Sequence, residues 1–163
     1  NITQFLEFGR IKKSEIKLND FSALTDFIYN LFQLEFKQRN IDFSYNFEKN
    51  VYFNFDYDKI KQVMINLIQN SIDAIGSDGK IEIEYFKIND VHQIKIKDSG
   101  KGISEEIRNK IFNLYFTTKS NGNGLGLAIV YKIIMEHSGK IYFESFAGKG
   151  TTFVIELPEK SNE

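Results

Sequence analysis

The sequence predicts an α+β domain, a two-layer sandwich in which a mixed, mostly antiparallel sheet of about five strands packs on about three helices. Three observations predict it. Apolar and polar residues alternate in short runs near 41–47, 51–55, 80–85 and 94–97. Helical periodicity governs residues 56–75 and 125–138. Turn-forming residues separate these blocks, and 163 residues with 42% hydrophobic content suit one compact core.

In chain order, Ile2, Phe5, Leu6 and Gly9 look like a closing helix, and Asn19-Asp20 offers capping side chains for a helix through about Arg39. Ile41, Phe43, Tyr45 and Phe47 alternate with polar residues, and Val51 to Phe55 gives a second short run; the two are expected to form a hairpin. Asp56 caps the next helix, which runs to Ile75 and stops at Gly76-Ser77-Asp78-Gly79. Ile81, Ile83 and Tyr85 then alternate with Lys80, Glu82 and Glu84. After an Asn89-Asp90 turn, Ile94 and Ile96 alternate with Lys95 and Lys97, so the sheet has one buried and one solvent face. Ser104, Glu106 and Ile107 suggest a short helix. A polar, glycine-rich loop covers about Thr117 to Gly124, and a helix from Leu125 to about Ser138 precedes two final strands.

Composition narrows the function. With 21 basic and 22 acidic residues the formal charge is -1, so no global field favours a polyanion and nucleic acid is not an expected partner. The absence of cysteine excludes disulfides and thiolate chemistry. No apolar run approaches the roughly 18 residues that span a bilayer. The chain starts at Asn1 without a signal-peptide pattern. The expectation is a cytoplasmic piece of a longer protein, with any membrane anchor upstream.

The helix from Asp56 carries the first chemical signal. At about 100 degrees per residue, Ile60, Val63, Met64, Leu67, Ile68 and Ile75 share one arc, which faces the core. Lys59, Gln62, Asn66, Asn70 and Asp73 share the other. Lys59 and Gln62 read as a solvated face. Asn66 and Asn70, one turn apart in mid-helix, have poor helix propensity and nothing to cap, which leaves a tertiary role open beside plain solvation. An amide oxygen is a hard, neutral ligand suited to Mg2+, making Asn70 a candidate metal ligand.

Three glycine-bearing stretches follow. Asp98-Ser99-Gly100-Lys101-Gly102 ends a strand, as an ordinary turn or as backbone that lets a ligand approach closely. Gly122-Asn123-Gly124-Leu125-Gly126-Leu127 opens an amphipathic helix whose free N–H groups and dipole favour phosphate. It is neither a dinucleotide fingerprint nor a P-loop, since no strand leads into it and no G-x-x-x-x-G-K-[ST] segment exists. Gly148-Lys149-Gly150-Thr151-Thr152 alone reads as a hairpin turn.

In their order these segments resemble the histidine-kinase-like ATPase superfamily, which also holds gyrase, the ninety-kilodalton chaperones and mismatch-repair ATPases, and within it the catalytic ATP-binding domain of sensor histidine kinases. Asn66 to Ala74 looks like the N box, Asp98 to Gly102 the first glycine box, and Phe112 to Lys119 the F box. Gly122 to Leu127 looks like the second glycine box and Gly148 to Thr151 the third; the match covers about residues 18 to 158. Phe5-Leu6-Glu7-Phe8-Gly9-Arg10 is similar to the end of the second dimerisation helix of these kinases. The resemblance therefore implies a dimerisation-helix remnant and linker at 1–14, a catalytic domain of Bergerat fold at 15–158 and a tail at 159–163.

The resemblance further implies an ATP site. Asp98 would accept a hydrogen bond from the adenine amino group, with Gly100, Gly102 and Ile103 closing round the base and Thr151 or Thr152 adding a water-bridged contact. Asn70 would hold Mg2+, with Asn66 supporting it and Asp73 beside them. Lys119 with Thr117 and Thr118, and the segment holding Gly122, Gly124, Leu125, Gly126 and Leu127, would hold the phosphates. Phe112 and Phe116 would pack the lid.

The resemblance also speaks to reaction type. Where the gyrase and chaperone branches carry a water-activating glutamate, this chain has Asn66, an amide without useful basicity. Hydrolysis is disfavoured and phosphoryl transfer favoured, with Asn66, Asn70 and Lys119 as the catalytic set. The implied partners are the protein's own dimerisation domain, which carries the phosphoacceptor histidine, and a response-regulator receiver domain. The full-length protein would be a homodimer and this piece a monomer. Neither histidine here has the acceptor's H-E or H-D setting. His92 begins a strand and is expected to be exposed; His137 ends a helix, where it interacts with the dipole and caps. The chain alone should thus bind ATP without phosphorylating itself. An anti-sigma-factor serine kinase is disfavoured by the helix remnant, and a degenerate interaction module by the intact boxes.

Overall fold

The computed structural model describes residues 14–113 and 126–159. Its element order is β1 (Lys17–Asp20), α1 (Phe21–Gln38), β2 (Ile41–Tyr45), β3 (Tyr52–Phe55), α2 (Tyr57–Ile75), β4 (Gly79–Ile88), β5 (Val91–Asp98), a single 3-10 turn (Arg108–Lys110), α3 (Gly126–Glu136), β6 (Lys140–Ser145) and β7 (Thr151–Pro158). Five strands form a sheet in the order β2-β4-β5-β7-β6, and β1 pairs with β3 in a separate two-stranded ribbon. Only β2 and β4 are parallel in the large sheet. The result is the expected α+β sandwich.

Local sequence sets most boundaries. Asp20 caps α1 by accepting from Ala23 N at 3.1 Å, and Asp56 caps α2 by accepting from Lys59 N at 3.1 Å. Gly76, at φ 75°, ends α2. One face of the sheet is apolar: Ile81, Ile83, Ile94, Ile96, Ile155 and Leu157 are buried, and α2 lays Ile60, Val63, Met64, Leu67, Ile68 and Ile72 among them. On the opposite face Lys97 pairs across to Glu84 at 3.0 Å.

Three expectations are corrected. Residues 41–45 and 52–55 do not pair with each other: β2 runs parallel to β4, with Ile41 opposite Gly79, while β3 joins β1, with Tyr52 opposite Asp20. Alternation fixes which face a strand buries and leaves its neighbour open. The expected helix at Ser104 reduces to a turn and the 3-10 segment Arg108–Lys110. His92 is 2% exposed, since it shares the inward face with Ile94 and Ile96. It stacks on Phe53 at 4.4 Å, contacts Tyr85 Oη through Nδ1 at 2.7 Å and bonds the Glu159 carboxylate through Nε2. Glu159, which begins the expected tail, also donates its N–H to Asp90 O at 2.8 Å.

Candidate functional site

The loops after β5 and between β6 and β7 meet at Asp98. Strand register sets Asp98 opposite Thr151. Asp98 Oδ1 accepts from Gly100 N at 2.9 Å and from Thr151 N at 3.3 Å, and Oδ2 accepts from Ser71 Oγ of α2 at 3.0 Å. The carboxyl is half-buried, and burial raises its pKa above the ordinary aspartate value, opposed by the hydrogen bonds from Gly100, Ser71 and Thr151. A single carboxylate is thus held by α2, its own loop and the neighbouring strand.

Glycine permits this convergence at two places where a side chain could not. A Cβ at Gly100 would lie 2.7 Å from the Ala74 carbonyl carbon and Cβ, and Lys101 N donates to Ala74 O at 3.0 Å, so the Asp98 loop lies directly on α2. Gly150 has φ 81°, and a methyl there would overlap the Asp98 carbonyl oxygen. Ser145, buried at 2% exposure, ties the two loops: its hydroxyl accepts from Ile103 N at 2.7 Å and donates to Gly150 O at 2.9 Å, 2.8 Å from Thr151 Oγ1.

Along α2, Asn66 and Asn70 are half-buried, whereas Asp73 is exposed and accepts from Gln69 Nε2 at 3.1 Å. The first residue of α3 lies beside this row, because a Cβ at Gly126 would stand 3.4 Å from Asn66 Oδ1. The N-terminus of α3 and the asparagine face of α2 therefore adjoin. Leu127 packs on the core. Phe112 packs among Tyr131, Phe143 and Phe153, while the loop it was expected to pack lies outside the described residues.

Sequence reasoning and geometry part at several residues. Thr151 or Thr152 was expected to add a contact near Asp98; Thr151 lies opposite Asp98, whereas Thr152 pairs with Lys97 and Glu144, and alternation sends its side chain to the other face. Lys59 is not a solvated lysine: its side chain is 11% exposed and paired with Glu136 at 3.0 Å. His137 does cap the end of α3, bonding Ile133 O through Nδ1 at 2.9 Å, but its Nε2 accepts from Asp56 N at 3.0 Å and burial lowers its pKa, so it caps as a neutral ring rather than as a charge on the dipole. Thr117, Thr118, Lys119, Phe116, Gly122, Gly124 and Leu125 lie outside the described residues. Ser71 and Ser145 were missed. A lone hydroxyl on the apolar arc of α2, among Leu67, Ile68 and Ile72, was the signal for Ser71; Ser145 offered none.

Comparison with known proteins agrees with this architecture. Residues 55–161 match the family described as histidine kinase-, DNA gyrase B-, and HSP90-like ATPase. The chain is 38% identical over 159 residues to the signal transduction histidine-protein kinase AtoS of Escherichia coli (strain K12), covering 96% of this chain and 26% of AtoS. The nucleotide-free catalytic domain of histidine kinase ThkA superposes with a TM-score of 0.81 at 39% identity, covering 89% of this chain and 96% of that one. ThkA in complex with the response regulator protein TrrA superposes at 0.84 with 34% identity, covering 99% of this chain and 47% of that one. The chain thus spans about a quarter of the length of its curated relatives, 26% of AtoS and 22% of the sensor kinase ZraS. It belongs to the histidine kinase-, DNA gyrase B- and HSP90-like ATPase family, among the catalytic domains of sensor histidine kinases.

Proposed function

We propose that this chain binds ATP with Mg2+ and transfers the γ-phosphoryl group to a histidine on its own dimerisation domain, for relay to an aspartate of a response-regulator receiver domain. The observation that carries the reading is Asp98: a half-buried single carboxylate at a strand end, raised in pKa by burial, on a loop that Gly100 lays directly on α2. An adenine amino group donates to such a carboxylate, whereas the guanine carbonyl at that position would oppose it. Residues 15–158 form the catalytic unit in this reading, preceded by the remnant of a dimerisation helix at 1–14; the complete protein is a homodimer and the piece alone a monomer.

The residues fit the metal and the phosphates. Asn70 offers a neutral oxygen donor one turn from Asn66, and the α3 N-terminus, where helix N–H groups and the positive dipole end are found, lies beside Asn66. Bound Mg2+ would neutralise charge on the phosphate oxygens. Asn70 would hold it, Asn66 would support it without activating water, and Gly126 with Lys119 would hold the terminal phosphates. Neither histidine of the chain suits the acceptor role, since His92 and His137 are buried and both ring nitrogens of each are engaged.

Calorimetric titration with Mg2+ and ADP, beside GDP and an Asp98→Asn variant, tests the site. Adenine-selective binding that the variant loses is the expected result; absence of binding in the intact chain sinks the reading. Phosphorylation of an added dimerisation domain, without self-phosphorylation, then tests the transfer.

A further inference from the structure

A polar junction lies at the ends of α2 and α3 remote from Asn70 and Gly126. Asp56, 8% exposed, uses Oδ1 to cap α2 and Oδ2 to accept from Glu15 N at 2.7 Å. Its N–H donates to His137 Nε2 at 3.0 Å, and His137 Nδ1 donates to Ile133 O at 2.9 Å, which fixes one neutral tautomer. Lys59 Nζ donates to Glu136 Oε1 at 3.0 Å and to Ser14 Oγ at 3.3 Å, and Ser14 Oγ reaches Glu136 Oε1 at 3.4 Å. The backbone at 14–15 is therefore gripped simultaneously by the first turn of α2 and the last turn of α3.

These two helices are the ones that carry the proposed phosphate end. The 11 residues of α3 extend about 16 Å as a helix, from Gly126 beside Asn66 to Glu136 beside Lys59. A helix transmits displacement along its axis as a stiff body, so sliding α3 at Glu136 moves Gly126 against Asn66. We propose that Lys59, Asp56 and Glu136 are positioning residues: they clamp Ser14-Glu15 so that the segment entering the domain sets the α2–α3 register and, through it, nucleotide affinity. The inference rests on the nucleotide reading above. Linkage makes the effect reciprocal, so bound nucleotide must tighten the clamp.

The Glu15 amide reports the clamp directly. Its hydrogen exchange is followed by NMR on the full chain with and without saturating Mg2+ and ADP, against the Leu18 amide, which lies outside the junction. Nucleotide is expected to slow Glu15 about five-fold more than Leu18, Lys59→Glu to weaken ADP binding about five-fold, and Lys59→Glu with Glu136→Lys to restore both. Equal slowing of Glu15 and Leu18 while calorimetry shows bound ADP would overturn the clamp alone, as would a charge swap that restores folding without affinity. Absence of ADP binding in the unsubstituted chain would overturn both readings.

Discussion

Ser71 Oγ donates a hydrogen bond to Asp98 Oδ2 at 3.0 Å, linking the C-terminal part of the long helix to the carboxylate at the end of β5. Ser71 is 2% exposed, so its hydroxyl has no water to replace that partner. Removing it strips one stabilising donor from an ionised group that burial already penalises. Ser71→Ala is expected to cost about 1–2 kcal/mol of folding free energy, read from urea unfolding, and to raise the Asp98 pKa further, read by carboxyl NMR titration. An unchanged Asp98 titration would show that the hydroxyl does not hold the carboxylate.

Asp98→Asn separates function from folding. An asparagine can keep the acceptor side toward Gly100 N and Thr151 N and turn its NH2 to Ser71 Oγ, which then accepts. The variant removes a charge whose pKa burial raises. Its thermal midpoint at neutral pH is expected to equal or exceed that of the parent, while ADP binding falls below detection. A large loss of stability would mean that the carboxylate serves mainly the fold.

How much of this was legible depends on what each residue's pattern encodes. The arc of Ile60, Val63, Met64, Leu67 and Ile68 fixed the orientation of α2, and Asp56 and Gly76 marked its ends, because helix periodicity and capping are local. The β2–β4 pairing was not legible, because its partners are 38 positions apart at Ile41 and Gly79 and nothing in either run names the other. His92 was misread although its signal was present: counting by two from Ile96 and Ile94 puts it on the inward face. Lys59 and Ser71 were missed for one reason. Their roles depend on Glu136 and Asp98, whose proximity only the tertiary fold creates.

Two turn glycines offer an internal comparison. Gly148 and Gly150 have nearly the same φ, 79° and 81°, but a methyl at Gly148 meets nothing within 4 Å, while one at Gly150 overlaps the Asp98 carbonyl. Gly148→Ala should cost only the backbone strain of about 1 kcal/mol. Gly150→Ala should cost about 3 kcal/mol or more, because the Asp98 loop must also move, and should weaken ADP binding. Equal effects in denaturant titrations would refute the proposed contact between the loops.

Stability should fall on mild acidification. Burial is the first cause lowering both His92 and His137 below the ordinary histidine range. Unfolding returns each ring to a pKa of about 6.5, so the unfolded chain binds more protons as pH drops. Their contribution is present above about pH 6.5 and is lost as pH falls through the folded values. Asp98 has the opposite sign: its raised carboxyl favours folding when protonated, and that contribution is lost as pH rises through its folded value. Urea midpoints measured from pH 7.5 down to 5.5 in the Asp98→Asn background therefore isolate the histidines and should decline. Replacing His92 with Phe should reduce the slope, even if the variant is less stable throughout.

Gly126→Ala tests the phosphate end. A Cβ there stands 3.4 Å from Asn66 Oδ1, an ordinary contact, and Gly126 is absent from the glycines with positive φ. The substitution should therefore leave the fold intact and, by helix propensity, stabilise the chain by up to about 1 kcal/mol. The same methyl narrows the gap between the α3 N-terminus and the Asn66–Asn70 face, where phosphate oxygens must approach both backbone N–H and amide oxygen. Affinity for ADP with Mg2+ should drop about ten-fold while affinity for adenosine, which has no phosphate, is unchanged. Loss of both affinities together would place the effect at the base end of the site, and no loss of either would remove the α3 N-terminus from the phosphate-binding role.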